Sequence, residues 1–452
     1  MTGRTAPMIA ILLLTAAPVL TAAPAIAVGP PPIDPRLLPP AGPAASRYPT
    51  EQFATCATTP IVMAGARHES TDLRSAWVRT RGAGQTVAVI DTGVARHRLL
   101  PHLVPGGDYV ADGDGTADCD GHGTVVAGII GAAPDPASGF SGIAPDAAVL
   151  AIRQSSMKFR ASDAAGGDGV GDVESLAAAV RAAADQGATV INISSVACLD
   201  VPDALDDRAL GAALAYAVDT RNVVVVAAAG NVGGQGTCPK QNPLPDPPGG
   251  PDWDRVDVVA SPSWYDDYVL AVGSVDADGT PSGFTLAGPW VDVAVPAEAV
   301  ISLNPSGEGL ADTMPGAAEP QPISGTSYAA PVVSGVAALL RAAAPNLTAR
   351  QVMHRIESTA RGSGWNPLVG HGVVDVLAVL RGIAAPVTPG APHPLAPPSI
   401  AVADAEPQRF ALIGAAVCAV LAAASAALRS RRRADAVPHD SGTSDAELGP
   451  AR

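Results

Sequence analysis

Three side chains that together can activate a hydroxyl group lie far apart in this sequence of 452 residues. Asp91 ends an apolar segment, His122 stands between two glycines, and Ser327 follows Gly-Thr. A serine hydroxyl is a weak nucleophile at neutral pH, so it needs a base within hydrogen-bond reach. That base in turn needs a carboxylate to fix its tautomer. The set predicts catalysis with Ser327 as nucleophile, His122 as base and Asp91 orienting the base.

A fourth residue, Asn231, suits the negative charge that such an attack develops on a carbonyl oxygen. Asn231 follows a glycine after an apolar run, and its side-chain amide can donate a hydrogen bond to an oxyanion. Ser327 begins an apolar stretch that predicts a helix, and the free N–H groups of a helix N-terminus bind anions as well. Each residue alone has an ordinary reading as a turn or cap. Their joint occurrence beside glycines at element ends favours the catalytic interpretation.

Apolar strand patterns alternate with helical patterns through the middle of the chain. The predicted strands are 86–90, 147–152, 188–193 and 222–228. The predicted helices are 122–131, 172–186 and 206–219, with two more after Ser327 and after Thr348. Near-continuous apolar strands separated by helices predict an α/β fold with a mostly parallel sheet covered on both faces. Ligands in such sheets bind beyond the carboxyl ends of the strands, which is where Asp91 lies.

These segments resemble those of the subtilisin-like serine proteases, the subtilases, in the chain order that subtilisin has. The matching segments are Asp91-Thr92-Gly93, His122-Gly123-Thr124, Ala229-Gly230-Asn231 and Gly325-Thr326-Ser327-Tyr328-Ala329-Ala330-Pro331. The resemblance covers roughly residues 80–385. It implies a subtilisin-like three-layer fold and a serine endopeptidase that works through an acyl-enzyme, with Asn231 in the oxyanion hole. The prediction includes no cofactor and no metal.

Both ends of the chain predict membrane targeting. Arg4, an apolar run and Ala25-Ile26-Ala27 fit an export signal, and an uncleaved anchor is the alternative. Near the other end, 19 residues from Phe410 to Leu428 carry no charge and are followed at once by arginines. That pattern predicts a membrane span with a cytoplasmic tail, and a buried helix is the alternative. The predicted segments are signal peptide 1–27, Pro-rich extension 28–59, protease domain 60–385, Pro-rich spacer 386–408, transmembrane helix 409–429 and cytoplasmic tail 430–452.

This organisation resembles that of the mycosins, membrane-anchored proteases of actinobacterial type VII secretion systems. Tyr328 and the run Cys119-Asp120-Gly121-His122 look similar to theirs too. The resemblance implies a single-pass protein of the cytoplasmic membrane with its protease domain on the extracytoplasmic side. It also implies a protein substrate and association with components of a membrane secretion complex. A structural component of that complex, with proteolysis secondary, is the alternative function.

The cysteines fit an oxidising compartment. Cys418 lies in the predicted span, and the other four allow three disulfide connectivities, among which the sequence does not choose. The mycosin resemblance implies the pairs Cys56–Cys119 and Cys198–Cys238. The first pair would tie the extension three residues before His122, so we expect the extension to stay on the protease domain.

Charge and composition narrow the possible partners. The net charge is −15 and no basic stripe appears outside the far C-terminus, which argues against nucleic acid. The acidic run Asp108–Asp120 does not follow a calcium-loop pattern and predicts a solvated loop. Asn192-Ile193-Ser194-Ser195 resembles the subtilase strand that pairs with an extended substrate, so Ser194 and Ser195 are substrate-binding candidates.

Overall fold

The computed structural model describes residues 28–62, 71–163, 169–201, 206–233, 238–244, 249–317 and 319–383. All of them belong to the first of two units, Met1–Pro386. The predicted signal peptide, spacer, membrane span and tail lie outside the described residues. Within the described ranges, no helix has the length and apolar character needed to cross a bilayer.

The described residues contain thirteen strands, numbered in chain order. They are β1 (Thr50–Gln52), β2 (Thr86–Asp91), β3 (Leu103–Asp108), β4 (Ala148–Arg153), β5 (Phe159–Ala161), β6 (Val190–Ile193), β7 (Ala197–Asp200), β8 (Val224–Ala228), β9 (Val258–Ser261), β10 (Leu270–Val275), β11 (Val291–Pro296), β12 (Ser302–Leu303) and β13 (Leu310–Ala311). Seven form one sheet in the order β11-β10-β8-β6-β2-β4-β3. All six pairings within it are parallel, which confirms the predicted parallel sheet.

Burial explains why these segments are strands. Every residue of β6, β8 and β10 is buried, as expected where both faces of a parallel sheet are covered. The four predicted strands correspond to β2, β4, β6 and β8. The other strands of this sheet, β3, β10 and β11, were not predicted, and β3 contains Pro105 and two glycines, which are rare in strands.

Seven helices are described, and they cover the sheet in two layers. They are α1 (Thr71–Trp77), α2 (His122–Gly131), α3 (Val173–Asp185), α4 (Arg208–Ala215), α5 (Thr326–Ala343), α6 (Ala349–Ser358) and α7 (Val376–Leu380). In one layer α5 packs against α2 and against β6, β8 and β10, and in the other α3 packs against α4 and against β2 and β4. The predicted helix 206–219 is α4 followed by a single π-helical turn, Tyr216–Thr220.

The Pro-rich N-terminal extension runs over the surface of the protease domain. Its strand β1 pairs antiparallel with β5, and the backbone N–H of Phe53 donates to the carbonyl of Lys158 at 3.0 Å. Further along, Val62 and Leu310 exchange backbone hydrogen bonds of 2.8 and 3.1 Å. Arg47 forms an ion pair of 2.9 Å with Asp172. With the hydrogen bond of 3.3 Å from the backbone N–H of Val28 to the carbonyl of Trp253, these contacts attach the extension at its first residue and along its second half.

Candidate active site

Asp91 is the last residue of β2, which lies between β6 and β4, so the carboxyl end of the sheet carries its side chain. That side chain is almost completely buried. Its Oδ1 atom accepts a hydrogen bond of 2.7 Å from the backbone N–H of Thr92 and lies 2.7 Å from Nδ1 of His122. Because an ionised carboxylate only accepts hydrogen bonds, Nδ1 must carry the proton. The Nε2 atom of His122 is then free to act as a base.

His122 is the first residue of α2 and remains 26% exposed, enough for a substrate to reach it. Burial alone would lower the pKa of its imidazole. The charge and hydrogen bond of Asp91, with smaller contributions from Asp118 and Asp120, outweigh burial and raise that pKa. The site therefore stabilises the imidazolium that forms when His122 takes a proton.

Gly123 lets α2 approach the end of β2 closely. A Cβ atom built on this residue would lie 2.1 Å from the carbonyl oxygen of Gly93 and 3.1 Å from Oδ1 of Asp91. Real Cβ atoms do not come this close to a backbone oxygen. The second glycine of the Gly-His-Gly segment thus has a steric cause, which is the close approach of α2 to the backbone of Gly93 and to Asp91.

Asp118 holds the start of α2 in place, a role that the sequence analysis missed. Its Oδ1 atom accepts hydrogen bonds from the hydroxyl of Thr92 and the backbone N–H of Gly121, at 2.9 and 2.7 Å. Its Oδ2 atom accepts from the backbone N–H and the hydroxyl of Thr124, at 2.9 and 2.6 Å. Burial raises the pKa of Asp118 to about 6 despite these bonds. The carboxylate joins the aspartate segment to the histidine segment.

The prediction of a solvated acidic loop at Asp108–Asp120 is wrong for several of its members. Asp108 is buried and accepts hydrogen bonds of 2.7 and 2.9 Å from the backbone N–H groups of Val110 and Ala111. Asp120 accepts from the hydroxyl of Ser156 at 2.5 Å and from the next backbone N–H at 2.8 Å. Because unpaired backbone N–H groups need acceptors, the carboxylates here organise the loop from within.

Ser327 is the second residue of α5, and its neighbours fix where it lies. The hydroxyl of Ser194 donates a hydrogen bond of 2.7 Å to the backbone carbonyl of Ser327. The ring of Tyr328 is buried with its centroid 5.2 Å from that of His122, which brings the start of α5 beside the base. The hydrogen bonds described for Ser327 and His122 do not join the two side chains. In protease sites without substrate this contact is often long, and it tightens when substrate binds.

Asn231 contacts the same helix start from the end of β8. Its Oδ1 atom accepts hydrogen bonds from the backbone N–H and the hydroxyl of Thr326, at 2.9 and 3.1 Å. Since a backbone N–H can only donate, these contacts assign the oxygen and direct the Nδ2 amide the other way. A Cβ atom on Gly325 would lie 3.7 Å from both Nδ2 and Oδ1, so the side-chain amide lies beside the helix start that presents Ser327. The arrangement offers an amide donor next to the nucleophile.

A buried polar chain supports the nucleophile from the sheet. The amide of Asn192 donates to Ser194 at 2.9 Å, and its oxygen accepts from the hydroxyl of Ser334 at 2.9 Å. The side chain of Ser194, a substrate-binding candidate, is thus buried and bonded to protein groups. Ser195 is half-buried at the same strand end. The sequence does hint at the role of Asn192, because it is the one polar residue in the apolar segment Val-Ile-Asn-Ile. Nothing in the sequence around Ser334 indicates that its hydroxyl contacts Asn192.

Two disulfides lie next to these segments. Cys56–Cys119 joins the extension to the loop before His122, and the backbone N–H of Ala57 donates to the carbonyl of Cys119 at 2.7 Å. Cys198–Cys238 joins β7 to the segment after Asn231, whose carbonyl accepts a hydrogen bond of 2.6 Å from the N–H of Cys238. The structure thus contains both pairs that the mycosin resemblance implies.

Among the described residues, no group of three or more His, Cys, Asp or Glu side chains has the arrangement to hold a metal ion. The donors and acceptors that the structure brings together are those of acyl transfer by a serine nucleophile.

Comparison with known proteins agrees with this geometry. Residues 82–372 match the model of the subtilase family. Mycosin-4 of Mycobacterium tuberculosis is 54% identical over 95% of this chain and 97% of its own length. Among solved structures, the MycP3 protease from the type VII (ESX-3) secretion system has 45% identity and a TM-score of 0.72, over 78% of this chain and 99% of that one. A chain of the intact ESX-5 inner membrane complex has 39% identity and a TM-score of 0.71, over 89% of this chain and 100% of that one.

The family match covers all seven strands of the sheet, helices α2 to α6 and every segment that carries the candidate catalytic residues. The relatives also span the chain well beyond the family domain, because mycosin-4 aligns over 448 residues. This chain therefore belongs to the subtilase family of serine proteases and, within that family, to the mycosins.

Proposed function

We propose that Ser327, His122, Asp91 and Asn231 are the catalytic residues of this serine endopeptidase. The observation that carries the proposal is the contact of 2.7 Å between Oδ1 of Asp91 and Nδ1 of His122, next to the helix start that presents Ser327. Subtilisin-like proteases need this carboxylate, imidazole and hydroxyl, in the chain order found here. The fold class is shared by proteins of many functions, so the site carries the argument.

The geometry supports acyl transfer in two halves. Oγ of Ser327 attacks the scissile carbonyl carbon while its proton passes to Nε2 of His122. The resulting oxyanion accepts hydrogen bonds from Nδ2 of Asn231 and from backbone N–H groups at the start of α5. His122 then returns the proton to the leaving amine, which gives the acyl-enzyme. Water attacks that ester by the same route, and Ser327 regains its proton.

The relatives suggest where this chemistry takes place. One solved neighbour is a protease from a type VII secretion system, and another is a chain of the ESX-5 inner membrane complex. We therefore infer that the substrate is a protein of a type VII secretion system and that the chain associates with its membrane complex. The predicted span 409–429 would anchor it, and the arginines that follow would keep the tail cytoplasmic and the protease domain outside.

Labelling with a fluorophosphonate probe tests the catalytic assignment. The full chain should become labelled, because the probe reacts with an activated serine, and a Ser327→Ala variant should not. A Ser324→Ala variant is the matched control, because this serine lies three residues before Ser327 and its hydroxyl accepts a hydrogen bond of 3.0 Å from the backbone N–H of Ala299. Equal labelling of the wild type and Ser327→Ala would overturn the assignment of the nucleophile.

A structural role in the secretion complex is the second candidate. It is favoured by the neighbour that is itself part of an intact inner membrane complex. Secretion measured in a deletion strain that expresses Ser327→Ala separates the two functions. Full rescue would show that the structural role suffices, and failure to rescue with normal protein levels would make proteolysis essential.

A further inference from the structure

A recess of about 240 Å³ lies at the amino ends of β6 and β8, away from the candidate catalytic residues at their carboxyl ends. The turn that follows α3 forms one wall, and the turn that precedes β8 forms another. The polar residues that line it are Thr189, Thr220, Arg221, Asn222 and Arg341. No part of the proposed protease mechanism uses this recess.

Arg341 lies in the last part of α5 and lines the recess without a protein partner. The residue is 9% exposed. No hydrogen bond or ion pair joins it to any other described residue, and its Nη1 atom is buried and unsatisfied. A guanidinium stays charged in proteins, and a buried charge without a partner is costly. Buried polar groups of this kind usually mark a ligand, an ion or a water.

Asp185, which follows the lining residue Ala184, does not neutralise Arg341. Asp185 already accepts hydrogen bonds from Arg181 at 2.8 Å and from the hydroxyl of Tyr216 at 2.6 Å. It also lies 3.9 Å from Arg221. Asp185 therefore balances Arg181 and Arg221, and no carboxylate of the described residues pairs with Arg341.

The other polar groups of the recess offer donors. Nε of Arg221 donates to the carbonyl of Ala184 at 3.3 Å, which leaves its two NH₂ groups available. Oδ1 of Asn222 accepts from the backbone N–H of Ala349 at 2.6 Å, so its amide NH₂ can donate elsewhere. Thr189 has its hydroxyl proton committed to the carbonyl of Thr86 at 3.2 Å. Cationic and amide donors therefore converge on a space with no free carboxylate.

We propose that this recess binds a small oxyanion, a phosphate, sulfate or carboxylate group, with Arg341 as its main cationic partner. Arg221 and Asn222 supply further hydrogen bonds. Its volume is several times the roughly 30 Å³ that one water occupies in the liquid, which suits a tetrahedral oxyanion or an acidic group with a few waters. Arg341 lies about 20 Å along α5 from Ser327 at 1.5 Å per residue, so an anion bound there stabilises the far end of the same helix.

Thermal unfolding of the full chain tests the proposal. The midpoint is measured in potassium phosphate, potassium acetate and potassium chloride at equal pH and ionic strength. We expect an oxyanion at about ten times its Kd to raise the midpoint by about 2–4 °C over chloride. In Arg341→Met this rise should disappear, and the variant in chloride should be at least as stable as wild type, because an unpaired buried charge has been removed.

Arg208→Met is the matched control, because Arg208 is exposed, pairs only with Asp206 among described residues and should keep the full rise. The control also subtracts the general stabilisation that phosphate gives every protein by exclusion from its surface. Arg221→Gln should weaken the response several-fold while leaving Arg341 in place. A rise in phosphate alone identifies a phosphate-type ligand, and a rise in acetate alone identifies a carboxylate. An equal rise of the thermal midpoint in wild type and Arg341→Met, or no rise in either phosphate or acetate, would contradict the proposal.

Discussion

Asn231 makes two separable contributions, and two substitutions at this position can divide them. Its Oδ1 atom accepts two hydrogen bonds from Thr326 at the start of α5, and its Nδ2 amide is the donor that we propose for the oxyanion. Asn231→Ala removes the acceptor and the donor together. Asn231→Asp keeps an oxygen for Thr326 and removes only the donor. The first substitution should therefore affect both stability and catalysis, and the second mainly catalysis.

The expected magnitudes follow from these contacts. Loss of one oxyanion donor typically costs 10²–10³ in rate, or about 3–4 kcal/mol of transition-state stabilisation. Thr326 is fully buried, so Asn231→Ala leaves its N–H group without an acceptor. That loss should lower the free energy of unfolding by about 1–3 kcal/mol. In Asn231→Asp a charged oxygen still accepts both bonds, and the free energy of unfolding should change by less than about 1 kcal/mol.

The assay measures the rate of labelling and the free energy of unfolding for the same variants. The second-order rate constant of fluorophosphonate labelling is measured for the wild type and both variants, and unfolding in urea is measured on the same samples. Both variants should label about 10²-fold more slowly than wild type, and only Asn231→Ala should unfold at lower urea. Labelling of Asn231→Asp at the wild-type rate would refute the donor role. Wild-type stability of Asn231→Ala would refute the role of Oδ1 in holding α5.

Two further predictions concern pH. Burial lowers the pKa of His122, but Asp91 and the other carboxylates raise it above 6.5 overall. Because the neutral imidazole is the base, the rate of fluorophosphonate labelling should rise with pH and reach half of its maximum above pH 6.5. Asp91→Asn should move this half-maximum to lower pH. A wild-type half-maximum below pH 6 would contradict the raised pKa of His122. Desolvation first and the charge of Asp266 second raise the pKa of Glu357 to about 7. The folded protein then holds a proton that the unfolded chain releases near pH 4, so Glu357 destabilises the fold increasingly from about pH 4 to 7. Glu357→Gln should therefore raise the thermal midpoint more at pH 8 than at pH 4, and an equal effect at both values would contradict the assignment.

The sequence predicts the elements whose own residues decide their structure. The apolar runs 86–90 and 147–152 became β2 and β4, and the helix predicted at 122–131 has the bounds of α2. In each case a continuous apolar pattern bounded by glycine or a polar residue is enough to predict the element, because burial on both faces contributes most to its stability. The candidate residues at the ends of those elements lie close together for the same reason, since parallel strands share one carboxyl edge.

What the sequence could not predict depends on partners distant in the chain. Nothing local distinguishes Asp118 from the solvated acidic residues around it, because its four hydrogen bonds come from the aspartate segment and from α2. The strand β3 pairs with β4 despite containing Pro105, which local propensity disfavours. Arg341 lies in a helix with an ordinary apolar pattern, and only the fold shows that no acidic group of the described residues pairs with it.

The position of Ser327 is determined by more contacts than the catalytic motif suggests. Thr326 is held by Asn231 from the end of β8, the carbonyl of Ser327 is held by Ser194 from the end of β6, and Tyr328 packs against His122 at the start of α2. Three consecutive residues thus have partners on three different elements. Because a nucleophile misplaced by about 1 Å can lose 10²-fold in rate, such fixation has a direct catalytic consequence. The Thr-Ser-Tyr segment is therefore a junction in which only the middle residue reacts and its two neighbours set where it reacts.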